Sequence, residues 1–62
     1  MANDGPLTIA QVAYRLRMSK GTISRMAHRG DLLYWVTPGG HRRFQAEHID
    51  HYAAKHHIPV TP

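Results

Sequence analysis

Residues 8–30 read TIAQVAYRLRMSKGTISRMAHRG, and this stretch decides the fold. Thr8 and Gln11 have capping-box spacing: the Thr hydroxyl can accept from the amide of Gln11, and the Gln side chain can reach back to the amide of Thr8. Leu7 and Val12 stand where a hydrophobic staple would close over that start. Ile9, Val12, Ala13 and Leu16 follow at helical spacing, so the first helix is predicted over about 8–17. Ser19 is a good cap for a second helix, in which Ile23, Met26 and Ala27 form one apolar stripe. Arg29 and then Gly30 end it, with a basic last turn followed by a glycine, giving a helix over about 19–29. One or two residues cannot carry the chain back antiparallel, so the two helices must cross steeply, as in a helix-turn-helix unit.

Downstream, Leu32-Leu33-Tyr34-Trp35-Val36 has strand composition, Thr37-Pro38-Gly39-Gly40 has turn chemistry, and His41-Arg42-Arg43-Phe44 returns as a second strand. The pair predicts a hairpin wing with a four-residue loop, in which Gly39 takes positive φ in a type II turn. Strand alternation sends Arg42 and Arg43 to opposite faces. Phe44 is assigned to the core; Trp35 has two readings, packing against the last helix or exposure on the wing, where it could meet another protein. Glu47 to His56 reads as a third, weakly capped helix with Ile49, Tyr52 and Ala53 inward. The expected architecture is mainly α with a small β-hairpin, a winged helix-turn-helix in the order helix, helix, hairpin, helix. Residues 1–6 are expected as a flexible arm, 7–56 as the domain and 57–62 as a flexible tail.

Sixty-two residues allow one domain with a small core, which argues against an enclosed active site. No cysteine is present, so neither a disulfide framework nor thiolate metal sensing is available. No apolar run approaches the roughly 20 residues of a membrane span, and the N-terminus does not read as a secretory signal, which points to the cytoplasm. The net charge of +4 is unevenly placed. Residues 15–43 hold seven cations against Asp31 alone, or +6, whereas the remainder holds Lys55 against Asp4, Glu47 and Asp50, or −2. Six of the eight cations are arginine, whose planar fork suits phosphates and guanine edges. An anionic partner follows, and double-stranded DNA fits best.

With Ile23, Met26 and Ala27 inward, the outer face of the second helix centres on Gly21, Arg25 and His28, with Thr22, Ser24 and Arg29 on its shoulders and Ser19 and Lys20 at its leading end. A polar, basic face with short side chains suits a helix in the major groove. Arg25, at its centre, is the candidate for base contact; Arg29, Arg15 and Arg17 are candidates for phosphate contact. Gly21 carries two readings, close approach of the backbone to DNA or a glycine tolerated near a helix start. On the wing, Gly39 and Gly40 permit close approach, while His41, Arg42 and Arg43 supply hydrogen bonds and charge. His48 and His51, with His56 and His57 beyond, have a spacing that can hold zinc, but there is no cysteine and no adjacent pattern of groups to orient the imidazoles; neither metal nor cofactor is expected.

The runs LTIAQVA (7–13), SKGTISRM (19–26), GDL (30–32) and TPGGHRRF (37–44) resemble the MerR-like winged helix-turn-helix domains. Within them the chain is most similar to small phage excisionases and BldC-like regulators, over Leu7 to Tyr52. The resemblance implies the second helix in the major groove and the wing beside it on the backbone or minor groove. At matching positions it supports Thr22, Ser24 and Arg25 on the helix and His41, Arg42 and Arg43 on the wing. The chain departs from the pattern at Lys20-Gly21, where relatives often have proline and a polar residue, at Met26 in place of a frequent Trp, and at Val36 in place of a basic residue. Base preference therefore does not carry over. The implied function is that of an excisionase that loads cooperatively on adjacent sites by self-association, bends attachment-site DNA and steers an integrase toward excision. The alternative is a small regulator on promoter repeats. The chain ends soon after the third helix, so no dimerisation helix and no small-molecule effector site are expected.

Overall fold

The computed structural model describes residues 6–60. Six elements follow in order: β1 (Pro6–Leu7), α1 (Ile9–Leu16), α2 (Lys20–Arg29), β2 (Trp35–Val36), β3 (Arg42–Gln45) and α3 (Ala46–Lys55). The result is the expected winged helix-turn-helix, with one added strand. The capping box on α1 is formed: Gln11 N–H donates to Thr8 Oγ1 at 3.2 Å and Thr8 N–H donates to Gln11 Oε1 at 2.8 Å. Ser19 caps α2 by accepting from Thr22 N–H at 3.1 Å. α3 starts at Gln45 with no side-chain cap.

All three helices end alike. A residue with positive φ follows the helix, and two amides reach back to free carbonyls. The residues are Arg17 (φ 60°), Gly30 (φ 92°) and His57 (φ 56°). Met18 N–H donates to Ala13 O, Asp31 N–H to Met26 O and Ile58 N–H to Ala53 O, the long bond of a Schellman closure in each case. Glycine makes this closure free of steric cost at Gly30; Arg17 and His57 adopt it despite a Cβ. Met18 and Ile58, the residues just past two of these closures, pack against the core. Ile58 is thereby tied to α3, which shortens the stretch expected as a free tail.

The sheet runs β1-β3-β2, antiparallel throughout. β1 lies outside the expected hairpin. Pro6 pairs with Gln45 and Leu7 with Phe44, so Pro6 belongs to the sheet, and the remainder of the expected arm, residues 1–5, lies outside the described residues. Pro6 is compatible with pairing because β1 is an edge strand, where a missing N–H removes no bond to a further neighbour.

The hairpin corrects two expectations. Thr37 N–H donates to His41 O and Gly40 N–H to Thr37 O, both at 2.8 Å, so the loop is the three residues Pro38, Gly39 and Gly40. Gly40 (φ 86°), not Gly39, takes the left-handed conformation, the pattern of a turn followed by one αL residue. β2 is also shorter than its composition predicts, because Leu32 turns inward to the core before the strand begins.

The core is formed by Leu7, Val12, Leu16, Ile23, Leu32, Phe44 and Ile49, with Met26 and small alanines between the helices. Phe44 is fully buried, as predicted. Trp35 is 44% exposed on β2, which fits the reading that leaves it on the wing. Its neighbour across the hairpin is Arg43, on the face turned from the core.

Candidate nucleic-acid interface

α2 places its expected outer face in solvent. Ser19, Lys20, Gly21, Arg25, His28 and Arg29 are exposed, and Thr22 and Ser24 are half-buried. This follows from the burial of Ile23, Met26 and Ala27 on the opposite side. Ser19 Oγ and Thr22 Oγ1 lie 2.9 Å apart, and Arg25 Nη2 donates to Thr22 Oγ1 at 3.4 Å. These bonds lean the Arg25 side chain back toward the start of α2, with its charge uncompensated by the hydroxyl.

Arg42 reaches the same face from the wing. Its Nη1 donates to Ser24 Oγ at 3.0 Å, joining β3 to α2, and its guanidinium lies over the Tyr34 ring with its carbon 4.9 Å from the centroid. Tyr34 in turn packs edge-tilted on Phe44, centroids 6.0 Å apart. A cleft between α2 and the wing is lined by Ser24, Arg25, His28, Arg29 and Arg42. Arg43 points the other way along the strand, and its Nη1 donates to the Arg42 carbonyl at 3.0 Å. Gly39, Gly40 and His41 form the exposed tip, with His41 N–H donating to Thr37 Oγ1 at 3.3 Å.

Two of the expected phosphate contacts are otherwise engaged. Arg15 Nη1 donates to Asp50 Oδ1 at 2.9 Å, tying α1 to α3, and its side chain is only 12% exposed. Arg29 holds Asp31 through Nε at 3.1 Å and Nη2 at 2.5 Å. That hydrogen bond first, and the carboxylate charge second, raise the Arg29 pKa above its already alkaline value. Arg17 forms the closure of α1 and is exposed.

Three residues in and around the site escape a reading of the sequence. Tyr34 carries Arg42. Asp31 neutralises Arg29, and its spacing two residues on was the available signal. His48 Nε2 accepts from the Leu33 N–H at 3.2 Å, tying the approach to the wing onto α3. That bond places His48 in a structural role; among the described residues no three His, Cys, Asp or Glu side chains are grouped to hold a metal ion.

The model of a family described as a helix-turn-helix domain matches residues 6–57. The chain belongs to this helix-turn-helix family. Membership agrees with the geometry, since α1, the turn at Arg17–Met18 and α2 form the unit that gives the family its name. A helix-turn-helix domain is a sequence-specific binder of double-stranded DNA, read by its second helix. Neither a curated protein nor a solved structure matches the chain. No helix among the described residues is long and apolar enough to cross a membrane.

Proposed function

We propose that this helix-turn-helix protein is a DNA-binding architectural protein of the excisionase type, acting by binding and bending rather than by catalysis. The observation that carries this reading is the convergence of α2 and the wing on one basic cleft, where Ser24, Arg25, His28, Arg29 and Arg42 face the same space. In this reading α2 enters the major groove. Arg25 contacts a base edge, Thr22, Ser24 and His28 flank it, and Ser19, Lys20 and Gly21 meet the backbone at the helix start. Gly39, Gly40, His41 and Arg43 place the wing on the adjoining backbone or minor groove. The resemblance of the TPGGHRRF wing to excisionases supports cooperative loading on neighbouring sites and the steering of an integrase.

Footprinting with mobility-shift stoichiometry on attachment-site and promoter duplexes tests this reading, together with a reconstituted excision reaction. Adjacent protected repeats and stimulated excision are expected. Protection confined to promoter repeats, with excision unchanged, replaces the excisionase reading with that of a small regulator. The slope of log K against log salt should be about −4 to −5, for about five neutralised phosphates. A slope near zero overturns DNA binding itself.

A further inference from the structure

Arg42 is held before any partner arrives. One face of its guanidinium rests on Tyr34 and one of its N–H groups is given to Ser24. A guanidinium has five N–H donors, so four remain for a ligand, in a plane fixed by the ring beneath. A long side chain normally loses rotamer freedom on binding, a cost about as large as the gain from an exposed ion pair. Here that freedom is already restricted by contacts within the protein.

The cleft around Arg42 lacks charge balance. Arg25 and Arg42 give their side-chain hydrogen bonds to the hydroxyls of Thr22 and Ser24, which carry no compensating charge, and among the described residues Arg29 alone of the three has a carboxylate partner, in Asp31. Its position also selects the anion. A helix in the major groove and a hairpin on the neighbouring groove straddle the sugar-phosphate ridge between the grooves. On the DNA-binding reading above, that ridge would pass along the cleft between α2 and β3, which Ser24, Arg25 and Arg42 line.

We propose that this cleft seats one backbone phosphate of duplex DNA, and that Tyr34, acting through Arg42, is the positioning residue that fixes the seat. The inference rests on the DNA-binding reading above and deepens it. Arg42 supplies the donors and charge, Ser24 and Tyr34 set their direction, and Tyr34 itself touches no DNA.

The test is the salt dependence of binding to a 20-base-pair duplex of mixed sequence, with circular dichroism melting on each variant. Each neutralised phosphate contributes about 0.9 to the slope. Arg42→Gln should make the slope shallower by about that amount. Tyr34→Leu should do the same, although it changes no charge, whereas Tyr34→Phe, which keeps a ring face, should match the unmodified protein. Ser24→Ala, which removes only the hydroxyl, is the second variant and should also make the slope shallower. A purely structural Tyr34 would lower the melting temperature and leave the slope alone, and that result overturns the positioning role. An unchanged slope for Arg42→Gln overturns the phosphate seat while leaving DNA binding standing. Failure of the unmodified protein to bind the duplex overturns both.

Discussion

Arg15 on α1 and Asp50 on α3, 35 positions apart in sequence, form a 2.9 Å ion pair that ties the two helices together. The arginine is mostly covered, and the carboxylate is about half exposed. Water therefore screens the pair, and its net worth is about 1 kcal/mol rather than that of a buried bridge. Asp50→Asn should lower the melting temperature by about 4–8 °C, since that is what about 1 kcal/mol does in a domain of this size. DNA binding should keep its salt slope. A shallower slope for Arg15→Gln, with the melting temperature unchanged, would assign Arg15 to a phosphate instead.

A second ion pair lies at the edge of the proposed interface. Asp31 holds Arg29 with two hydrogen bonds, and Arg29 is exposed enough to meet DNA. Its raised pKa means that stability from this arginine is present at all lower pH and is lost only as pH rises through a strongly alkaline value. No pH dependence near neutrality arises from Arg29. Asp31→Asn removes one negative charge and releases the guanidinium. The expected result is a several-fold gain in affinity at low salt and a slope steeper by up to about 0.9, measured by titration on a mixed-sequence duplex. Unchanged binding would mean that Arg29 does not reach the backbone.

Arg25 and Arg29 separate the two kinds of contact. Arg25 stands at the centre of the outer face of α2, while Arg29 lies at its end beside Asp31. Arg25→Ala should cost about 1–3 kcal/mol on the preferred site and much less on unrelated duplexes. Arg29→Ala should weaken all duplexes alike. Competition binding against a randomised library reads both; identical profiles for the two variants would refute the division of roles.

Local signals carried most of the fold. The capping box at Thr8, the cap at Ser19 and the glycine after Arg29 are written in short stretches, and each forms as read. The features that were not legible depend on distant partners or on backbone choices that sequence leaves open. β1 is two residues long and exists only because β3 is there to pair with. Arg17 and His57 take positive φ without being glycine, so their helix closures carry no residue signature. The hairpin shows how one residue decides a face. A four-residue loop after Val36 would set it opposite His41 and put Arg42 beside Trp35. The three-residue loop sets Val36 opposite Arg42, which brings Arg42 onto the side of Tyr34 and of α2. The Tyr34–Arg42–Ser24 contact was hidden for that reason, although the separation of Arg42 from Arg43 was legible from strand alternation alone.

Gly21 separates stability from function. It sits in the first turn of α2, exposed, where an added Cβ would meet only Arg25 Nη1 at 3.7 Å and Ser19 Oγ at 3.9 Å, both ordinary contact distances. Nothing in the fold requires glycine there, and alanine is the better helix former by up to about 1 kcal/mol. A glycine at such a place fits close approach of the helix start to the DNA backbone, where the free amides can meet a phosphate. Gly21→Ala should therefore raise the melting temperature by a few degrees and weaken binding to every duplex by a similar factor, because a backbone contact carries no base information. Melting curves and mobility shifts on two unrelated duplexes decide it. A more stable variant with undiminished affinity would show that Gly21 is merely tolerated near the helix start.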